Sequence, residues 1–419
     1  MSTPTVLPAA ALATLAPRPA PSPARLFRSA LARGAGYLVP VPLAVAATEP
    51  LSRLPWTVPV GALAAGWCAA LGLLYLAAPV AERAGPGPAA RLVLAGFAAL
   101  AGAWSGLLAL APAKLVGADR PLAHLVSLAG LAVLAALAVA RATGTELAML
   151  GWSLPVLLVA GATITGWPAE VRPAGTVAGL AAGIAGLLAG AATPALRRSY
   201  PATGSRPTAA ELRGCAGPVL VGLCQVAVVL VVARAGQVAV SAGGIPPALV
   251  PLLVTIPGLE LWVGWHLARV SEGLTRYDER EAHLRYVRRI GWATLAALLP
   301  PLAAGTALAG TAGRLPYGLS AHPDVPALVL ALASGVLLAG VVATGWLLAA
   351  RRRFGLAALV TGAPVVIALG LSISVPGLAA TSLSGWGQLL PSVAVGLAAA
   401  YAAGLILAAF VLFDTRSLR

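Results

Sequence analysis

The groups in this sequence that could do chemistry are polar side chains placed inside long apolar segments. Glu260 lies about two-thirds along one such segment, close to Trp262 and His266. Gln225 lies in the middle of a second segment, and Glu49 lies at the end of a third. A polar group is costly to hold in hydrocarbon and usually has a role or a partner there. These five residues are therefore the candidates for a transport pathway.

Glu260 is the most informative of the five. A carboxylate in lipid tends to be protonated or paired, so Glu260 is either a proton-coupling group or a packing residue bonded to a hydroxyl or an arginine of another helix. The neighbouring Trp262 and Trp265 are large aromatics that can line a sugar or drug pathway. Gln225 is either a pathway residue or a hydrogen-bonding link between helices, and Glu49 either joins the pathway or only marks a span end.

The composition of the chain indicates the class of protein to which these polar groups belong. Of the 419 residues, 59% are hydrophobic and only 10% are charged, and the mean hydropathy is +0.90. About a quarter of the residues of a soluble globular protein are charged. The chain is therefore a polytopic membrane protein whose partner is the lipid bilayer. Its net charge of +15 reflects membrane orientation rather than a nucleic-acid partner.

Twelve segments approach the roughly 20 apolar residues that cross a bilayer. Eleven spans is the alternative, because the first segment is short and rich in proline. The predicted spans are 34–50, 57–80, 91–112, 121–141, 146–167, 174–196, 215–233, 246–267, 291–312, 325–350, 355–374 and 387–412.

The placement of basic residues supports an even number of spans. With both termini inside, nearly all of the 28 basic residues fall in the tail, the even-numbered loops and the C-terminus, as the positive-inside rule requires. Six fall elsewhere: Arg53, Lys114, Arg120, Arg172, Arg234 and Arg314. The sequence thus predicts an inner or plasma membrane protein with both termini in the cytoplasm.

A polar loop in the middle of the chain divides the spans six and six, the layout of transporters built from two related halves. The predicted fold is all-α, with an N-terminal lobe (25–196), a cytoplasmic linker (197–213) and a C-terminal lobe (214–419). Residues 1–24 are rich in Pro, Ala and Ser and are predicted to form a disordered cytoplasmic tail.

The segment 268–290 is densely charged in an otherwise almost uncharged chain. Its apolar residues recur every three or four positions, and it contains favourably ordered Glu–Arg pairs at i,i+4. This pattern predicts an amphipathic cytoplasmic helix that anchors at the membrane surface, or else acts as a gate or docking helix. Its basic side chains include Arg269, Arg276, Arg280 and Arg285.

Motifs of soluble enzymes are absent from the sequence. There is no phosphate-binding or dinucleotide-binding glycine loop, no His/Cys cluster and no paired acidic motif on an outer loop. The sequence therefore predicts neither catalysis nor a cofactor or metal site. A membrane-bound enzyme is the least favoured class.

Two stretches carry a family resemblance. LVTIPGLELWVGWHLARVSEGLTRYDEREAHLR (252–285) resembles the apolar helix of Pel-type exopolysaccharide exporters that runs into an Arg/Glu/Tyr-rich cytoplasmic helix. The segments 351–374 and 385–415 are similar to the last two spans of that family, which belongs to the multidrug/oligosaccharidyl-lipid/polysaccharide (MOP) flippase superfamily. The resemblance covers about a third of the chain. It implies two six-helix lobes around a central cavity and alternating access.

The function implied by this resemblance is a flippase or exporter of a polysaccharide or lipid-linked sugar, working with envelope polysaccharide synthesis proteins. A major-facilitator-type exporter of small molecules is one alternative. The sequence APVAERAGPGPAARL (78–92) departs from the Asp-Arg and Gly-Arg-Arg signature of that superfamily. The other alternative is a non-transporting subunit that anchors or assembles an envelope polysaccharide system.

Overall fold

In a computed structural model the chain is a bundle of long α-helices. Every regular element within the described residues is helical. The structure describes residues 31–32, 34–36, 51, 53–153, 158, 172–197, 206–240, 246–276, 280–314, 324–374 and 389–413, without the side chains of 172–178, 239–240, 260, 271, 274–276 and 280.

Ten helices in this part of the chain are long and apolar enough to cross a membrane. They are α1 (Thr57–Ala84), α2 (Pro86–Leu110), α3 (Arg120–Thr143), α4 (Arg172–Arg197), α5 (Ala216–Val240), α6 (Val250–Arg276), α7 (Arg280–Ala312), α8 (Asp324–Ala350), α9 (Phe354–Ser374) and α10 (Leu389–Phe413). Shorter helices cover Ala113–Val116, Glu146–Gly151, Ala209–Gly214 and Pro247–Leu249.

These ten helices correspond to ten of the twelve predicted spans. Nearly all of the first predicted span (34–50) and most of the fifth (146–167) lie outside the described residues, as does the predicted tail 1–24. Multi-pass membrane topology is therefore confirmed, and the orientation of the termini stays a prediction.

Local sequence signals set several helix ends. The side chain of Asp119 accepts a hydrogen bond from the Leu122 amide at 3.0 Å and caps the start of α3, where the first backbone N–H groups have no helical partner. Gly144 ends the same helix with φ +67°, a left-handed conformation that glycine adopts without strain. Gly85 (φ +88°, ψ 177°) separates α1 from α2 in a different conformation, open to glycine, and Pro86 starts α2.

Each half of the chain builds its own hydrophobic core. The N-terminal core includes Ala77, Phe97 and Leu131 and ends at Ala195. The C-terminal core begins at Val221 and includes buried residues of α5 to α10. We call these two units the N-lobe and the C-lobe. Since each core is complete within its own lobe, the lobes are suited to move as separate bodies.

The C-lobe contains one very close helix contact. Gly340 of α8 lies against the ring of Tyr401 of α10, so that a Cβ atom added at Gly340 would lie 1.9 Å from Tyr401 Cε1. The Tyr401 side chain is fully buried, and its hydroxyl donates to the Leu298 carbonyl of α7 at 2.5 Å. Tyr401 of α10 thus contacts both α8 and α7 of the C-lobe.

The charged segment 268–290 is divided between two helices. α6 extends to Arg276 and α7 begins at Arg280, whereas the sequence pattern predicted one amphipathic helix. Gly273 of α6 faces Tyr286 of α7, and an added Cβ would lie 2.8 Å from its Cδ1. The two ends therefore pack against each other as a hairpin, because consecutive spans run in opposite directions and the chain must reverse between them.

Candidate functional site: an interlobe cavity and seam

A cavity of about 840 Å³ is bordered by both lobes. Its described lining comes from α1, α3, α4 and the short helix Glu146–Gly151 of the N-lobe and from α6 and α8 of the C-lobe, with Ala32, Gly36 and Leu51 from the chain before α1. Leu122 and Arg141 of α3 both border it. At 1.5 Å of rise per residue, the cavity follows α3 for about 28 Å.

The cavity wall is almost entirely apolar. Leucine, alanine, valine and glycine form most of it, and the indole rings of Trp67 and Trp346 add two flat aromatic surfaces. Charged side chains border it only at the end of α3 within the described lining, where Arg141 and Glu146 lie. Such a wall favours cargo with a large apolar body, and the charged end suits a small polar group.

Within the described lining, the C-lobe borders this cavity from the middle of α6 (Val263) to Leu267 and along the last turn of α8, which finishes at one end of the bundle. We call this end, where α1, α3 and α8 finish and α5 and α9 begin, the Arg-rich end.

Arg351 lies just beyond the last residue of α8. Two of its donor atoms, Nε and Nη2, are buried without a hydrogen-bond partner, and burial lowers the pKa of this guanidinium.

The lobes are joined at the Arg-rich end by a seam between α1 and α5. At its outermost point Arg83 forms an ion pair with Glu211, which lies in the short helix before α5. The Tyr75 ring packs edge-to-face with Phe354 of α9, with the ring centroids 5.7 Å apart. Tyr75 also lies against Gly214, where an added Cβ would come 2.6 Å from its hydroxyl.

Farther into the bundle the seam is formed by small residues. An added Cβ at Gly72 would lie 2.8 Å from Val219 Cγ2, and one at Gly222 would lie 3.2 Å from Cys68 Cα. Glycines on both helices thus allow their backbones to approach closely. The seam reaches the middle of the bundle at Trp67, whose indole nitrogen donates to Gln225 Oε1 at 3.0 Å.

Nearer the start of α1, two of its glycines pack against other helices of the N-lobe. A Cβ at Gly66 would lie 2.5 Å from Leu134 Cδ1 of α3, and one at Gly61 would lie 2.6 Å from the Trp104 ring of α2. Among the described residues, the Trp67–Gln225 hydrogen bond is the innermost polar contact of the seam, beside the cavity that Trp67 borders.

Gln225 lies at this junction in an unusual state. Its side chain is 1% exposed, and its Nε2 atom has no hydrogen-bond partner. Tryptophan N–H is only a donor, so the amide oxygen must face Trp67 and the amide nitrogen must face away from it. A buried amide nitrogen without an acceptor costs about 1–3 kcal/mol.

His266 and Trp262 form a separate cluster inside the C-lobe. The His266 ring is fully buried, and its Nδ1 lies 2.6 Å from Thr294 Oγ1 of α7. The Trp262 indole donates to the Thr294 carbonyl at 3.3 Å and stacks on Trp265 at 4.6 Å. The cluster joins α6 to α7 and is not part of the described cavity lining.

The remaining candidates have different surroundings. Arg269 is paired with Glu272 at 2.6 Å, and Arg285 is exposed. Glu49 and the side chains of Glu260, Arg276 and Arg280 lie outside the described residues.

Trp67 and Trp346 border the cavity, yet sequence reasoning did not select them. Trp67 lies in the middle of its predicted span (57–80), and this position was a signal that could have found it. Trp346 lies four residues from the end of its predicted span (325–350), where a tryptophan is an ordinary interfacial residue. Arg141 and Glu146 carried no such signal, because charges near span ends are ordinary.

Known structures share this architecture. The chain matches a MOP superfamily transporter from Pyrococcus furiosus with a TM-score of 0.59 and 15% identity, over 92% of this chain and 95% of that one. It matches an outward-facing multidrug resistance MATE family transporter with a TM-score of 0.56 and 16% identity, over 93% and 96% of the two chains. It matches a MATE protein in complex with Br-NRF with a TM-score of 0.58 and 14% identity, over 94% and 96%.

No protein-family model and no curated protein matches the chain. The structural neighbours have twelve helices in two lobes, so the expected superfamily fold is confirmed and a major-facilitator fold is excluded. The chain is a multi-pass membrane protein with the fold of the MATE transporters of the MOP superfamily.

Proposed function

We propose that this protein is an alternating-access exporter of amphipathic molecules with a large apolar body. The observation that carries the proposal is the interlobe cavity, which is walled by apolar side chains and two indole rings and has charged residues at one end. Cavities of roughly this volume hold small molecules, with apolar walls for affinity and a few polar groups for orientation.

The seam supports an alternating-access mechanism. Contacts from Arg83–Glu211 to Trp67–Gln225 join the lobes at the Arg-rich end, which the positive-inside rule assigns to the cytoplasm. With that orientation the seam would close the cytoplasmic side, as expected of an outward-facing state. One neighbour is itself described as an outward-facing multidrug resistance transporter, and this likeness favours small-molecule export over polysaccharide export.

A lipid-linked sugar is the second candidate cargo. Trp67 and Trp346 offer flat faces of the kind that stack on sugar rings, and Arg141 and Glu146 lie where a polar headgroup would be placed. A long polysaccharide fits less well, because the described wall has few hydrogen-bonding groups.

Gly130 offers a direct test of the cavity. It borders the cavity, and an added Cβ there meets no atom within 4 Å, so Gly130→Phe should fold normally while filling part of the space. The matched control is Gly102→Phe on α2, which has the same clearance and is absent from the described cavity lining. Binding of the apolar dye N-phenyl-1-naphthylamine to purified protein and uptake of rhodamine 6G by inside-out vesicles are measured for both.

We expect Gly130→Phe to weaken dye binding about tenfold, equivalent to 1.4 kcal/mol, and to reduce uptake, with Gly102→Phe close to wild type. Equal behaviour of the two variants would remove the cavity from the cargo pathway. Competition then separates the two cargo classes. Displacement of the dye by a polyprenyl-pyrophosphate-linked N-acetylglucosamine, but not by the polyprenyl phosphate alone, would favour the sugar-bearing cargo.

A further inference from the structure

Few polar atoms border the interlobe cavity, and most of them are already engaged. Four side chains of the described lining carry a nitrogen or an oxygen: Trp67, Arg141, Glu146 and Trp346. The Trp67 indole donates to Gln225, and Arg141 and Glu146 each have an interaction partner within the chain. Trp346 is thus the member of this set whose polar group is left for a ligand.

The indole nitrogen of Trp346 is both unpaired and accessible. It makes no hydrogen bond within the described part of the chain. It is also not one of the fully buried polar atoms that lack a partner, which include Trp104 Nε1. Since Trp346 is only half-buried as a residue, its N–H reaches open space, whereas the Trp104 N–H is enclosed by protein.

The open space beside Trp346 is the cavity. α8 packs against the other long helices of the C-lobe, α5, α6, α7, α9 and α10, and the residues on either side of Trp346, Gly345 and Leu347, are buried. Trp346, Ala349 and Ala350 are the residues of α8 in the described cavity lining, and their spacing places them on one face of the helix. The accessible edge of the indole ring therefore lies on the face that borders the cavity.

This donor lies at the same end of the cavity as the charged residues. Trp346 is four residues before the end of α8, about 6 Å along the helix axis, and Arg141 is two residues before the end of α3. From there the apolar wall continues along α3 to Leu122. A cargo molecule that fits this wall has a polar group at the Arg-rich end and an apolar body along the rest.

We propose that Trp346 is a specificity-determining residue of the cavity, and that its indole N–H donates to an oxygen acceptor on an otherwise apolar cargo. An indole N–H donates and cannot accept, so a ketone, ester, ether or amide oxygen complements it, whereas a hydrocarbon leaves it unsatisfied. The inference rests on the transport function proposed above and names the chemical feature that the cargo carries.

Two ligands with one carbon skeleton test this assignment. Fluorene and 9-fluorenone differ only in the ketone, and each is used to displace N-phenyl-1-naphthylamine from the purified full-length protein. The measured quantity is the ratio of the two dissociation constants, compared between variants so that the different hydration of the two ligands cancels. Trp346→Phe keeps an aromatic ring and removes the N–H. We expect it to weaken 9-fluorenone about fivefold relative to fluorene, which corresponds to the loss of one hydrogen bond.

Trp67→Phe is the matched comparison, because its N–H is already bonded to Gln225. It should shift the affinities for both ligands in parallel, so that their ratio stays at the wild-type value. An unchanged ratio in Trp346→Phe, which leaves Arg141 in place, would overturn the proposal and point to another donor. A ratio that falls equally in both variants would also overturn it, because the preference would then follow the shape of the wall rather than one N–H.

A second substitution keeps the test decisive if Trp346→Phe does not fold. 3-Benzothienylalanine, introduced in place of Trp346, keeps both rings and replaces the N–H by sulfur, and should lower the preference for the ketone to the same extent. Fluorene needs no donor, so its binding reports an intact cavity in each variant. Wild-type protein that binds neither the dye nor fluorene would remove the apolar-cargo function and the specificity role with it. Normal fluorene binding with an unchanged ratio would remove the specificity role alone.

Discussion

The guanidinium of Arg83 donates to both carboxylate oxygens of Glu211, from Nη1 at 2.5 Å and from Nη2 at 3.0 Å. This pair joins the last turn of α1 to the short helix before α5 and thus closes the outermost point of the seam. Glu211 also accepts from the Thr208 amide at 2.8 Å, in a capping box that fixes the carboxylate in place.

Loss of this pair should loosen the seam. Because the pair is exposed and such pairs are weak, Arg83→Gln should raise the rate at which Cys68 reacts with a water-soluble maleimide by only about two- to fivefold. The measurement is made in a background with Cys215 and Cys224 replaced by alanine. Glu82→Gln, one residue away, is the control and should leave the rate unchanged; an equal rise in both would show a general loosening of this helix end rather than loss of the Arg83–Glu211 contact.

A disulfide across the seam should lock the Arg-rich end shut. A Cβ at Gly222 would lie 3.6 Å from Cys68 Sγ, so Gly222→Cys should cross-link to Cys68 under mild oxidation and stop dye transport until a reductant is added. Gly222→Cys combined with Cys68→Ala controls for the substitution itself. Full transport by the cross-linked protein would show that the lobes do not separate along this seam.

Glu260 remains a candidate for proton coupling, with a packing role as the alternative. It precedes Val263, Gly264 and Leu267 by three, four and seven residues, the spacing of one helix face, and those three residues border the cavity. Glu260→Gln should abolish proton-driven dye transport with normal insertion and dye binding. Glu281→Gln, at an exposed position of α7, should transport normally. Wild-type transport by Glu260→Gln would remove this carboxylate from the mechanism.

The Gly340–Tyr401 contact should be sensitive to a single methyl group. Gly340→Ala forces a shift of α8 or α10, and such overpacking typically costs about 1–3 kcal/mol, so the melting temperature in detergent should fall by several degrees. Gly370→Ala, where an added Cβ meets no atom within 4 Å, should melt at or slightly above the wild-type temperature because alanine favours a helix. A stable Gly340→Ala variant would contradict the close packing.

Segment length was enough to predict the spans that the structure describes, whereas the two-lobe arrangement came from the family resemblance. A bilayer imposes a fixed span length, and the arginines that end α1, α3 and α4 mark the same end of the bundle. The break between α6 and α7 was missed because 268–290 keeps a helical spacing on both sides of it. Hydrophobic periodicity predicts that a segment is helical. It does not show where one helix ends and the next begins in the opposite direction.

The site was harder to predict than the fold. His266 and Trp262 looked like pathway residues because polar and aromatic side chains in lipid are rare, yet both are bonded to Thr294 within one lobe. Gln225 was chosen for the same reason, and its partner Trp67 lies in the other half of the chain. Sequence shows that a polar group needs a partner, whereas tertiary packing decides which one it finds.

The two separate cores determine how much free energy lobe motion requires. Since neither core includes residues of the other lobe, opening the Arg-rich end breaks seam contacts and leaves the cores intact. A hydrogen bond such as Trp67–Gln225 contributes about 1 kcal/mol, and an exposed ion pair contributes less. These polar contacts sum to less than the binding free energy of a micromolar ligand. The apolar contacts of the seam add to the cost of opening, and cargo offsets that cost by the difference between its affinities for the two states.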